Sequence, residues 1–139
     1  MKKLILLLAI PLFACSKTNQ SVNVVENYLD AYNQHNIELM LEYLADDAKW
    51  MSVSEGRISI ETSNNEQLKL VLEEYFNDLP STRSEIMHLA KNGNFINAFE
   101  KAIWDDKDGK EQSQCAASVY ELEEALIKNI WYFPSSECD

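Results

Sequence analysis

Two adjacent carboxylates, Asp46 and Asp47, stand in the run ADDAKWMS between an apolar helical pattern and an aromatic, strand-like one. Carboxylates so placed could exchange protons with a bound molecule, or could simply end a helix in water. The other chemistry-bearing side chains narrow the choice. His35 falls in the break Asn33-Gln34-His35-Asn36 and His88 in a strand-like run. Neither has a second His or a Cys at ligand spacing, so no metal site and no cofactor are expected. The acidic segment Asp105-Asp106-Lys107-Asp108-Gly109 faintly has the look of a calcium loop. Setting Gly109 at that loop's glycine puts Trp104 first and Cys115 last, where carboxylates are needed, and the match fails. With three glycines in 139 residues, neither a phosphate-cradling loop nor a nucleophile elbow can be built.

The elements that must position these residues are legible in the apolar spacing. Val25, Tyr28, Leu29 and Tyr32 follow the i, i+3, i+4, i+7 pattern of a helix, and Ile37, Met40, Leu41 and Leu44 repeat it after the break. A third helix opens on Ser63-Asn64-Asn65-Glu66, which has the form of a capping box, carries Leu68, Val71, Leu72, Tyr75, Phe76 and Leu79 on one face, and stops at Pro80. Short strands are expected at 49–53 and 57–61, turning at Glu55-Gly56. Longer ones follow at 83–91, 94–104, 111–122 and 126–133, with hairpin signals at Asn92-Gly93 and Asp108-Gly109. The order α, α, β, β, α, then four strands predicts an α+β domain with three helices packed on one face of a curved, antiparallel or mixed sheet.

The run VVENYLDAYNQHNIELMLEYLADDAKWM, followed by a helix and a four-stranded meander, resembles the nuclear transport factor 2-like superfamily, with its SnoaL-like proteins and ketosteroid isomerases. The resemblance spans roughly Val22 to Phe133. It implies a cone, in which a bent sheet wraps the helices around an apolar pocket, and a homodimer paired through the outer face of the sheet. In ketosteroid isomerases the aspartate that moves the proton follows ADDA by four residues; here that position is Ser52, a hydroxyl far too weak a base. By the same correspondence Tyr28 matches the tyrosine of the oxyanion hole, and Ser118 stands where that hole has a protonated aspartate. One of three catalytic groups is retained, so ketosteroid isomerisation is not expected, and Tyr28 also fits the apolar face of its helix. Because the pair recurs in relatives of unrelated activity, Asp46 and Asp47 read as a solvated helix end and turn.

A pocket can still be drawn. If Ser52 faces the interior, strand alternation puts Trp50 beside it, and Ser118 brings Ala116 and Tyr120 to the same face. With Tyr28 and Tyr32 the lining would be aromatic, with a few hydroxyls and no charge, suited to a small, neutral, apolar ligand. The alternative is a filled core.

The N-terminus bounds the compartment. Two lysines precede an apolar run from Leu4 to Ala14, too short for a membrane span of about 20 residues and right for a signal peptide. Leu12-Phe13-Ala14-Cys15 resembles the lipobox of bacterial lipoproteins, which implies a signal peptide at 1–14, lipid on Cys15, and a protein held at the outer membrane facing the periplasm. Residues 15–21 read as the lipidated cysteine and a polar tether, and 22–139 as the domain. Without the signal, ten Lys and Arg stand against 23 Asp and Glu. Such a surface repels nucleic acid and anionic head groups, so membrane attachment must come from the lipid. Cys115 and Cys138 are then an even pair in an oxidising compartment, either bridged or two independent thiols.

Taken together, the residues predict an envelope lipoprotein whose domain binds a small apolar ligand without catalysis. The alternatives are an interaction or inhibitor module using its acidic surface, and an isomerase, cyclase or dehydratase with a non-standard site. A buried ionisable group in the pocket would favour the enzyme.

Overall fold

Each helix of the domain is an amphipathic stripe that cannot stay in water. The computed structural model describes residues 17–135 and Cys138, so the signal peptide and the lipidation site at Cys15 lie outside the described residues. Helix α1 spans Lys17–Asn33, α2 Ile37–Glu42 and α3 Asn65–Asp78. The backbone of α1 already runs helical at Lys17, inside the stretch 15–21 that reads as a tether. Polar residues suit a solvated helix as well as a coil, so composition does not distinguish the two. α2 is capped by the Asn36 side chain, which accepts from the Leu39 N–H. In α3 the cap is Asn64, accepting from the Gln67 N–H, while the Gln67 carbonyl returns to the Ser63 N–H. The capping box is therefore shifted one residue from the sequence expectation, with Gln67 in the role given to Glu66.

Six strands follow: β1 Leu44–Ser54, β2 Arg57–Thr62, β3 Arg83–Asn92, β4 Phe95–Asp105, β5 Glu111–Glu123 and β6 Leu126–Pro134. They form one sheet in the order β2-β1-β6-β5-β4-β3. All pairs are antiparallel except β1 with β6, which is parallel, so the sheet is mixed. The three helices pack on one face: α1 meets β3, β4 and β6, α3 meets β1 and β2, and α2 joins α1 to α3. Val25, Leu29, Met40, Leu72, Phe76, Ile96, Tyr120 and Ile127 are among the residues that close the core between the layers.

The segment that held Asp46 and Asp47 is not a helix end. β1 begins at Leu44, which pairs with Ile127, and pairing resumes only where Lys49 meets Asn129. Residues 45–48 thus bulge out of the ladder, since one residue of β6 faces four of β1. Asp46 and Asp47 are exposed on this bulge, and Asp47 is held by Lys128 at 2.5 Å, a hydrogen bond that lowers its carboxyl below the usual range. Good helix formers misled the periodicity here, and the partner strand decided.

Cys115 and Cys138 form a disulfide, with Cα atoms 5.0 Å apart. The Ser135 N–H bonds the Cys115 carbonyl at 2.8 Å, so the tail after β6 runs back along β5 and brings Cys138 into reach.

Candidate functional site

Between the helices and the inner face of the sheet lies a cavity of about 310 Å³. Its walls come from α1 (Tyr28, Tyr32), α3 (Leu72, Tyr75), β1 (Trp50) and the inward positions of β4, β5 and β6. Of the seven residues expected to line a pocket, Tyr28, Tyr32, Trp50, Ser118 and Tyr120 do so. Ser52 and Ala116 do not. Ser52 turns to the edge strand, where its Oγ donates to Glu61 Oε1 at 2.5 Å. A register shift between Trp50 and Met51 leaves Glu61 as the extra residue of β2 and brings its carboxylate there. Ala116 is buried on the inner face, directly opposite Glu100, and its methyl is too short to reach the cavity.

The larger correction is charge. The lining was expected to carry none, yet Glu100 is 6% exposed and faces the cavity from the middle of β4. Its register partners are Ile86 on β3 and Ala116 on β5. The carboxyl arm and the Tyr120 ring reach toward each other over the pair Ala98 and Ser118, and the phenol donates to Oε1 at 2.6 Å. Ser84 Oγ donates to Oε2 at 3.3 Å, and the Ser118 side chain also hydrogen-bonds the carboxyl. Burial nevertheless wins, and Glu100 is held above the usual carboxylate range despite these donors. A sequence signal existed: in FINAFEKAIW, Glu100 shares its period-2 face with Ile96, Ala98 and Ala102. A glutamate at the centre of an apolar face is buried with its charge.

The phenols around it are neutral. Burial, and then the charge of Glu100, pushes Tyr28 and Tyr120 well above the ordinary phenol value, and the same causes with Tyr75 push Tyr132 up to about 12. Tyr28 meets Tyr120 edge to face at 6.2 Å. Its own hydroxyl has no hydrogen-bond partner among the described residues, and it lines the cavity as a free donor. A second polar group closes the far side, where the hydroxyls of Tyr32, Tyr75 and Thr82 sit 3.1 to 3.3 Å apart in a ring.

A family model described as a SnoaL-like domain matches residues 25–130. The chain belongs to the SnoaL-like domain family. It therefore lies in the nuclear transport factor 2-like superfamily, as its fold shows. Among solved structures, a proposed SnoaL-like polyketide cyclase from Jannaschia sp. CCS1 superposes with a TM-score of 0.73 at 11% identity, covering 88% of this chain and 90% of that one. A proposed polyketide cyclase from Xanthomonas campestris pv. campestris gives 0.65 at 18%, covering 85% and 92%. TerC, co-crystallised with polyporic acid, gives 0.71 at 11%, covering 84% and 92%. At such identities the likeness is one of fold. No protein of curated function matches this SnoaL-like chain by sequence.

Proposed function

We propose that this SnoaL-like domain binds a small, largely apolar carbonyl compound in its cavity and moves a proton on it, as an isomerase or cyclase does. The observation that carries the reading is Glu100, a carboxyl buried among aromatic rings and facing the cavity. As a carboxylate it takes a proton from the carbon next to the ligand carbonyl, and Tyr28 donates its free hydroxyl to the oxygen on which the charge develops. The raised affinity of Glu100 for its proton brings it nearer neutrality, where a general base is most effective. Tyr120, Ser84 and Ser118 aim the two oxygens and steady the ionised form. TerC with polyporic acid, and the proposed polyketide cyclases, lend the reading support as relatives in fold. The reading replaces the non-catalytic one because a pure binder of neutral ligands gains nothing from desolvating a carboxyl.

The test uses 2-acetylnaphthalene in deuterated buffer, with methyl proton exchange followed by NMR. Exchange should exceed background, and Glu100→Gln should remove about 10² to 10⁴-fold of the enhancement while binding persists. A ligand that binds without accelerated exchange would return the domain to the binder class.

The proposal places this activity on an envelope lipoprotein anchored through Cys15, a reading supported by the lipobox-like run Leu12-Phe13-Ala14-Cys15. Palmitate labelling of the intact chain, lost in Cys15→Ala, checks it.

A further inference from the structure

The far wall of the cavity is built with more care than a filled core requires. Tyr32 comes from α1, Tyr75 from α3 and Thr82 from the loop before β3, so three separate elements deliver one hydroxyl each to a common point. The point is braced from outside. His35 holds a left-handed backbone, with φ of 51°, which costs energy in a residue other than glycine. Its ring stacks on Phe76 at 4.2 Å, and Nε2 meets the Thr82 carbonyl at 2.8 Å, which fixes the height of Thr82. Phe76 in turn packs against Tyr32 and Tyr75.

Proton counting then gives the group its character. Tyr32 donates to Tyr75. Its only proton is thereby used, so the contact with Thr82 at 3.1 Å requires Thr82 to donate to Tyr32. Thr82 has now spent its proton as well, and the remaining edge, also 3.1 Å, requires Tyr75 to donate to Thr82. The ring is closed, with three protons on three edges. What is left over is a lone pair on each oxygen, and Tyr32 and Tyr75 are the two members that line the cavity. The edges are longer than the usual 2.5 to 3.0 Å or so of an O–H···O bond, which leaves these oxygens under-satisfied.

We infer that the Tyr32–Tyr75–Thr82 ring is a specificity site that accepts a hydrogen bond from the substrate, so that the substrate is a two-ended molecule with a carbonyl at one end and a hydroxyl or N–H at the other. The inference rests on the proposed reading of Glu100 and Tyr28 as the carbonyl end. Tyr28 and Tyr32 are four residues apart on one helix face, so they enter the cavity about one turn apart, roughly 6 Å along the axis between their backbones. An aromatic ring system carrying both groups fits between them, with Trp50, Leu72 and Ile130 among the walls.

Three probes of similar shape separate the possibilities: 2-acetylnaphthalene, 6-acetyl-2-naphthol and the methyl ether of that naphthol, each titrated by calorimetry into the intact domain. The naphthol should bind about 5-fold or more tighter than its methyl ether, which accepts but cannot donate. Tyr75→Phe breaks the ring and frees a proton between Tyr32 and Thr82, so the preference should fall toward one through a gain by the ether. Thr82→Ser, which keeps the hydroxyl, should retain the preference. Equal binding of naphthol and ether by the wild type, or a preference untouched by Tyr75→Phe, overturns the inference and leaves the Glu100 reading standing. Failure of 2-acetylnaphthalene itself to bind overturns both.

Discussion

The two faces of strands β4 and β5 invert the usual arrangement. On the inner face, Ile96 and Ala98 are followed by Glu100, with Ser118 and Tyr120 beside it, all buried. On the outer face of the same strands, Phe99 is 57% exposed, and Phe95 and, on neighbouring strands, Met87 and Phe133 are exposed with it. Backbone pairing is continuous across both faces, so the ladder does not distinguish them. Only the covering helices do. A charge was carried into the layer from which water is excluded, and rings were left in the layer that water reaches. Burying an ionisable group costs free energy that the fold recovers only if the group is used, whereas an apolar stripe across several strands suits contact with another surface. The sheet is a catalytic candidate on one side and an assembly candidate on the other, and a second copy of this chain is the proposed partner of the outer side.

Packing should show the largest contrast. Ile96→Ala, at a fully buried inner position, should cost roughly 2 to 5 kcal/mol in chemical denaturation. Phe99→Ser, three residues along on the outer face, should cost under about 0.5 kcal/mol in the monomer while lowering self-association by sedimentation. Similar losses from both would erase the distinction between the faces.

The disulfide comes next, because it ties the tail to the outer-facing position Cys115. Cys138→Ser should lower stability by about 3 kcal/mol in the chain-entropy model, closing as it does a loop with a separation of 23 residues. Proton exchange on the ligand should be unchanged, since the bridge is no part of the cavity lining. A loss of exchange in this variant would show the two faces to be coupled.

The smallest effect is electrostatic. Burial raises Glu100 from its ordinary value of 4.5, so its contribution to stability is fully present below that value and is lost as pH rises through the raised one. The titratable groups around it, Tyr28, Tyr120 and Tyr132, are phenols that stay neutral across this window. The stability difference between wild type and Glu100→Gln should therefore shift against the wild type as pH rises above 4.5. A flat difference would mean that Glu100 is solvated in the folded state.

Much of this architecture could be read before the structure. The last four strands begin and end within a residue or so of the expected positions, because alternation and the turns at Gly93 and Gly109 are local signals. The turn between β5 and β6 is built from Glu124 and Ala125 in left-handed conformations, with no residue that advertises it. The apolar spacing puts Leu44 in a helix, since the Ala45 to Ala48 bulge exists only through its partner strand, 80 residues away in sequence. Five cavity residues followed from the family resemblance, which placed Tyr28 and Ser118, together with the helical spacing and strand alternation that add Tyr32, Trp50 and Tyr120. Glu100 did not, because it stands outside the positions where relatives keep their acids and this chain keeps serines. The hydroxyl ring was beyond reach, as its three members meet only in three dimensions.

The parallel pairing of β1 with β6 carries a consequence for how the chain is made. β6 lies between β1 and β5, so the β1–β2 pair and the β3–β5 meander have no edge in common. A ribosome delivers the two halves in order, and although the helices touch both, no strand pairing joins the two parts of the sheet until residues 126–134 have emerged. Contacts of such long sequence separation close slowly, and they leave the earlier strands with open edges in the meantime. The sheet therefore becomes one continuous ladder only when its last strand is in place. A chain that stays open until its last strand is complete is also one that can still be threaded through a narrow channel.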